Sequence, residues 1–457
     1  MHGALALALC VLVGSFCDSS TRQQAHAEKN PLAQTAVDVN SEQGVDAPWP
    51  TFRGGPQLRA YRKGRLTQKP RLLWRHDAKT AVESSAAIVD GHVYLGTDEH
   101  GLMVLDLNAT EKKGKVLWTY KTEFGIRSSP GIKDGHAYFG DDAGFFYAVD
   151  LNSQKLAWKI ETESGGEIIS SASFVGDQVL FGSYDGNLYA FHRKDGKPAW
   201  TATTDGPVHC TPTFAGGRTF VAGCDEHLRA VSAADGKPVG ALAMSAYSAG
   251  SPAVLGERLF VGTFGSQVVC VDWSKIPSAA TVDASAPKSS ESQSKKETAG
   301  TAKENKAAAG EDGKSETTAE ESSVAVLWRY EHPTKKFPYY SSPAVGPLMK
   351  DGKLATWVVV IGGRDKMIHA LDANNGDELW SVTTKARVDG SPVIVGDHVI
   401  VGGLDGNLYM LELATGDEFW RYEAGGSFRS SPAVGEGKLV ISTDEGLIQC
   451  FDLGPAQ

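Results

Sequence analysis

Short runs of β-branched or alternating apolar residues, separated by Gly-containing polar turns, fill most of the chain, and Val399–Trp420 (VIVGGLDGNLYMLELATGDEFW) shows the unit clearly. VIVGG reads as one strand, LDGN as a turn, LYMLEL as a second strand and ATGDE as another turn, after which FWRYE opens a third strand. Turn dipeptides recur too often for a 3.6-residue apolar stripe to develop, so the pattern predicts strands and not helices.

The unit recurs with a Ser-Pro-like anchor at Ser85-Ala86, Ser129-Pro130, Ser171-Ala172, Thr211-Pro212, Ser251-Pro252, Ser342-Pro343, Ser391-Pro392 and Ser431-Pro432. Most intervals are about forty residues, the spacing of propeller blades. The expected fold is therefore all-β, an eight-bladed β-propeller of four-stranded antiparallel blades spanning residues 71–453. Two longer intervals have visible causes. Residues 275–323 are low-complexity Ala, Ser, Lys and Glu that cannot bury a core, and are expected to be a disordered insertion between the third and fourth strands of blade five. Blade six is lengthened by the hairpin GPLMKDGKLATW, ending at Trp357. The last repeat stops at Phe451-Asp452-Leu453 without an outer strand, whereas Leu72-Leu73-Trp74-Arg75 has no blade before it. Residues 71–76 are thus expected to complete blade eight and leave no open edge at the seam.

Trp74, Trp118, Trp158, Trp200, Trp328, Trp380 and Trp420 share one register, with Gly240 in the eighth place. An indole in every repeat suits docking of blade on blade better than a single cofactor site. Blade four, which lacks its Trp, or its neighbour is expected to make the loosest contact.

Composition changes the picture only at the edges. The 457 residues include 51 Gly and 10 Trp, in keeping with a turn-rich β chain. A net charge of −10, with no basic stripe, argues against a nucleic-acid partner. Gly3–Phe16 (GALALALCVLVGSF) is an apolar run too short to span a bilayer, and residues 1–27 read as a signal peptide. Cleavage after Val13-Gly14-Ser15 or Ala25-His26-Ala27 fits, whereas Phe16 and Leu9 disfavour lipidation at Cys17 or Cys10. Residues 28–70 are expected to be a tether and strap, with Trp49–Gly54 (WPTFRG) packed across the domain. The protein is expected to be exported, periplasmic or secreted, with no transmembrane span.

Units such as Leu371–Trp380 (LDANNGDELW) and Leu411–Trp420 (LELATGDEFW) resemble the tryptophan-docking repeat of pyrroloquinoline quinone (PQQ)-type β-propellers. That group includes quinoprotein alcohol dehydrogenases and the propeller lipoprotein of the outer-membrane β-barrel assembly machinery. The resemblance spans Arg71–Leu453 apart from the insertion and implies the fold more strongly than a function.

Residues two before each anchor (Glu83, Arg127, Ile169, His209, Ala249, Tyr340, Asp389 and Arg429) are expected to rim the channel, with Asp98, Asp142, Asp185, Asp225, Arg364, Asp405 and Asp444 in the adjoining turns. Arg127, His209, Tyr340, Arg387 and Arg429 are the candidate binding residues, the arginines because planar forks suit carboxylates. Cys270 and Cys450 fall in a small buried slot occupied by Ala in other blades. Cys210 and Cys224 face each other across a hairpin turning at Gly216-Gly217 and are expected to form a disulfide; with His209 and His227 they match no common zinc spacing, so no metal is expected. The chain has no nucleophile-elbow Ser, phosphate loop or HExxH.

The quinone site implied by the resemblance needs an indole, adjacent cysteines and a Ca²⁺ held by Glu, Asn and Asp; no Cys-Cys pair exists here. The leading reading is an exported, non-catalytic scaffold without a cofactor that binds a cell-envelope protein or a small ligand at its channel face. The alternative is a dehydrogenase dependent on PQQ and Ca²⁺.

Overall fold

The computed structural model describes residues 41–278 and 324–455. The signal peptide, the lipidation sites and nearly all of the insertion lie outside the described residues.

Eight four-stranded antiparallel sheets form the blades, the first seven running from an inner strand outward in chain order. Blade one, for example, comprises Ala87–Val89, His92–Thr97, Gly101–Asp106 and Val116–Tyr120. In blade eight the outer strand is Arg71–Asp77, antiparallel to Leu447–Asp452, so both ends of the domain meet in one sheet. Alternation buries one residue of each pair between neighbouring blades, and the second strands, buried throughout (VIVG in Val399–Gly402), carry the β-branched runs.

Each docking Trp sits opposite one slot of the adjacent strand, small in most blades: Trp74 opposite Cys450, Trp158 opposite Ala148 and Trp328 opposite Cys270, but Trp420 opposite Met410. The indole N–H then donates to a carbonyl of the next blade. Trp74 reaches Leu107 O at 3.1 Å, Trp158 reaches Arg193 O at 2.9 Å and Trp380 reaches Leu413 O at 2.8 Å. A turn glycine of that blade lies flat on the ring, and a Cβ at Gly196 would fall 2.6 Å from Trp158.

Gly240, opposite Ala230, departs from the expectation of a loose contact. Ile276 and Pro277 fill the place of the missing indole, with Ala241 N–H donating to Pro277 O at 3.2 Å. Trp273 adds a second brace, packing on Phe220 and donating to Gly256 O. Restoring the repeat with Gly240→Trp is therefore expected to destabilise by about 1–3 kcal/mol through overpacking, read as a lowered denaturation midpoint. Even a Cβ at this site would lie 2.3 Å from Pro277 O.

Residues 44–63 run across the channel end opposite the Ser-Pro anchors. Their backbone bonds to Ile88 and Ile132 (blades one and two), Phe214 and Val254 (four and five), Val345 and Ile394 (six and seven) and Gly437 (eight). Tyr61–Arg62 adds a parallel strand to Val393–Val395. Trp49 is 1% exposed beneath the Arg62 guanidinium, which stands 4.5 Å over its ring.

Candidate functional site at the channel mouth

Two consecutive positions on the anchors do different work, the first of them Gly in blades five and seven (Gly250 and Gly390). The first pins the hairpin: Ser84 Oγ accepts from Gly96 N–H at 2.8 Å, and Ser128, Ser170, Ser341 and Ser430 do the same in their blades. The second links blades. Ser85 N–H donates to Ser129 Oγ, Ser129 to Ser171, Ser171 to Thr211, Thr211 to Ser251, Ser251 to Ser342, Ser342 to Ser391 and Ser391 to Ser431. Ser431 N–H returns to Ser85 Oγ at 2.8 Å, closing a ring of bonds around the channel. At about 0.5–1.5 kcal/mol for each such bond, the ring is a stabilising belt with its hydroxyls lining the channel.

Cys210 occupies the first of these positions in blade four, its Sγ accepting from Ala222 N–H at 3.2 Å. The expected disulfide is not formed: Cys210 is a buried free thiol turned into its own hairpin, and Cys224 is a free thiol exposed on the rim. Burial pushes the Cys210 thiol up to about 12, which keeps it protonated.

Above the ring lies a cavity of about 170 Å³, floored by Phe52 of the strap. All the residues two before the anchors line it, from Glu83 round to Arg429, together with Arg364. Arg387 does not; it stands behind the lining, with its Nε 3.2 Å from Asp389 Oδ2.

The rim is divided by chemistry. Blades three to six carry an arc of rings in contact: Tyr184 on His209, His209 on Tyr340, Tyr340 on Phe264 and Phe264 on Tyr247, the last pair stacked at 4.3 Å. Tyr340 reaches over the small Ala249 of blade five to do this. His209 is held between two hydroxyls, Tyr184 at 2.7 Å on Nδ1 and Tyr340 at 3.2 Å on Nε2. Burial, with help from the Arg127 charge, lowers His209 to about 4, so it is neutral at physiological pH.

The rest of the rim is ionic. Arg127 bridges Asp142 (2.8 Å) and Glu167 (2.7 Å), and these acids hold its charge against the cost of burial. Arg364 grips Asp389 with both Nε and Nη2, at 2.9 and 3.0 Å, while lying 4.5 Å over the Tyr340 ring. Arg429 pairs with Asp444 at 3.0 Å. Burial pushes Asp444 up to about 6, opposed by Arg429 and reinforced by Glu83 and Glu445.

The turn residues divide as well. Asp185, Asp225 and Asp405 make turns, accepting from Asn187, His227 and Asn407 N–H. Asp142, Arg364 and Asp444 sit one residue earlier in the repeat and pair with the lining residues Arg127, Asp389 and Arg429. Counting from the strand-ending residue (Gly140, Gly182, Gly262) would have placed Tyr184 and Phe264 on the rim from sequence alone.

This lining does not fit a planar quinone with its calcium. Among the described residues no Trp or Asn lines the cavity, its carboxylates are Glu83 and Asp389, and no three His, Cys, Asp or Glu are placed to hold a metal. No helix of the described residues is long and apolar enough to cross a membrane.

The chain is similar in fold to BamB from Moraxella catarrhalis (16% identity, TM-score 0.59, covering 84% of this chain and 100% of that one). It is similar also to the quinohemoprotein alcohol dehydrogenase of Comamonas testosteroni (13%, TM-score 0.65, covering 93% and 84%). The computationally designed Ika8 protein has the same architecture (13%, TM-score 0.61, covering 84% and 99%). A comparison with curated proteins finds no match. The profile described as outer membrane protein assembly factor BamB matches residues 65–190, 146–302 and 364–454, and on that coverage the chain belongs to the BamB family of PQQ-type β-propellers.

Proposed function

We propose that this propeller is an exported, non-catalytic scaffold whose rim face holds a protein partner in the cell envelope. The observation that carries this reading is the divided rim above a small blind cavity. Phe124, Tyr184, Tyr247 and Phe337 are exposed aromatics in its turns and loops, beside guanidinium groups already oriented by carboxylates. Aromatic and Arg side chains in that arrangement are the usual anchors of protein interfaces. Export rests on the Gly3–Phe16 run, and the family match supports a role in envelope assembly.

The test is capture of envelope proteins on immobilised full-length protein, with Arg127→Ala and Arg429→Ala as variants. Each is expected to weaken capture of the same partner about tenfold or more while the ring stays folded. Capture unaffected by either change would remove this face from consideration. Addition of PQQ and Ca²⁺ to the same preparation tests the enzyme alternative. Quinone absorbance with alcohol-dependent dye reduction would establish a dehydrogenase in place of the scaffold.

A further inference from the structure

Residues 41–43 and 53–62 of the strap fold around a second cavity, of about 210 Å³, separate from the cavity above Phe52. Three arginines line it. Arg53 and Arg62 are each 3% exposed, and the Arg59 side chain is 17% exposed.

Their donors can be accounted for one by one. Arg62 is satisfied, giving Nε to Val434 O, Nη1 to Gln43 Oε1 and Nη2 to Pro48 O. Arg53 gives Nε to Leu58 O and Nη2 to Pro343 O, both uncharged carbonyls, and its Nη1 is buried without an acceptor. Arg59 gives Nη2 to Glu42 Oε1 at 2.6 Å, and its Nη1 is likewise buried without one.

The charges do not balance. Among the described residues lining the cavity, three guanidinium groups share one carboxylate, Glu42, and the neighbouring Tyr61 hydroxyl, pushed up to about 12 chiefly by burial and then by Glu42, supplies no negative charge. Burial draws Arg53 down to about 9 with no carboxylate opposing it, yet at that value it is still charged at neutral pH. An uncompensated buried ion is among the costliest features a fold can carry, and a guanidinium does not relieve it by losing its proton. Natural pockets that keep such groups use them on phosphate or carboxylate.

We infer that the strap cavity is a binding site for a small oxyanion, with Arg53 and Arg59 as its ligands through their unpaired Nη1 groups. Because the strap's backbone is bonded to inner strands around the ring, an anion bound there would strengthen the closure of the channel floor.

Thermal unfolding of the full-length protein tests this, in chloride, inorganic phosphate, sulfate or acetate at matched ionic strength and pH. Phosphate or sulfate is expected to raise Tm above the chloride value and to saturate with concentration, as a ligand of the folded state must. Arg59→Gln, at a partly exposed site, is expected to fold and to raise the half-saturating concentration tenfold or more, and Arg53→Gln to abolish the effect. Arg127→Ala, on the opposite face, should leave it unchanged. A saturable rise in acetate alone would assign the site to carboxylates, in phosphate and sulfate but not acetate to tetrahedral anions. Equal Tm in all four salts, or a response that Arg59→Gln does not move, would overturn the inference.

Discussion

Trp74→Ala is expected to lower stability by about 3–5 kcal/mol, the range for emptying a buried indole site, and to do so more severely than the same change at Trp420. Both residues hold one register, opposite Cys450 and Met410. Trp74, however, is 1% exposed, donates to Leu107 O and lies against Gly114 of blade one. It belongs to the outer strand that completes blade eight, so its loss loosens strand pairing at the seam together with docking on blade one. Trp420 is only partly buried, and its contacts are edge-on to Phe451 and stacked with Tyr422. Urea unfolding of the two variants gives the comparison. Equal midpoints would mean that the seam is no more dependent on its indole than any other interface.

His369→Ala is expected to cost a similar amount and to change the pH dependence. The side chain is fully buried, with Nε2 2.8 Å from Asp365 Oδ2 and Nδ1 3.5 Å from Glu378 Oε2. Burial alone would lower its pKa, but the bonds to Asp365 and Glu378 outweigh that and raise it. Glu378 is drawn down to about 2, first by His369 and then by the Tyr330 hydroxyl. The raised histidine contributes stability that is complete below its ordinary value of about 6.5 and is lost as pH rises through the folded value. The depressed glutamate contributes above its ordinary value of about 4.3 and is lost as pH falls towards 2. Wild type minus variant should therefore be largest between about pH 4.5 and 6.5 and decline on both sides. Removing the imidazole leaves the Asp365 carboxylate, 2% exposed, buried without its partner, a change of about 3–5 kcal/mol for a broken buried pair. Other blades suggest a rescue. Tyr147, Tyr189 and Tyr409 occupy the same place and donate to Asp141, Asp185 and Asp405. His369→Tyr should recover part of the loss and abolish the alkaline decline; a flat difference profile for His369→Ala would refute the ion pair.

The elements legible in the sequence were those set by the phase of the repeat. Blade number, the Trp register, the slots of Cys270 and Cys450 and the rim position of His209 and Tyr340 all follow from counting along one blade. Contacts between blades do not. Nothing local says that Tyr340 reaches His209 because Ala249 between them is small, or that Pro277, at the start of a low-complexity stretch, stands in for an indole. The turn aspartates were blurred for a related reason: Asp142 and Asp185 look alike as residues before a turn, but a one-residue offset sends the first to Arg127 and the second to its own backbone. WPTFRG signalled a packed strap, but not its course across the blades, because most of its bonds to the inner strands are made by backbone.

The strap and the closing strand also invert the order of synthesis. Residues 44–63 and 71–77 leave the ribosome before the strands they pair with, and the partners of the former run as far as Gly437 and those of the latter to Asp452. Pairings of such long sequence separation are slow to form and leave strand edges open meanwhile. The closing strand must wait, unpaired, for the last strand of the ring, so a nascent chain truncated before Leu447 has no seam, and one truncated before Gly437 lacks a complete floor as well.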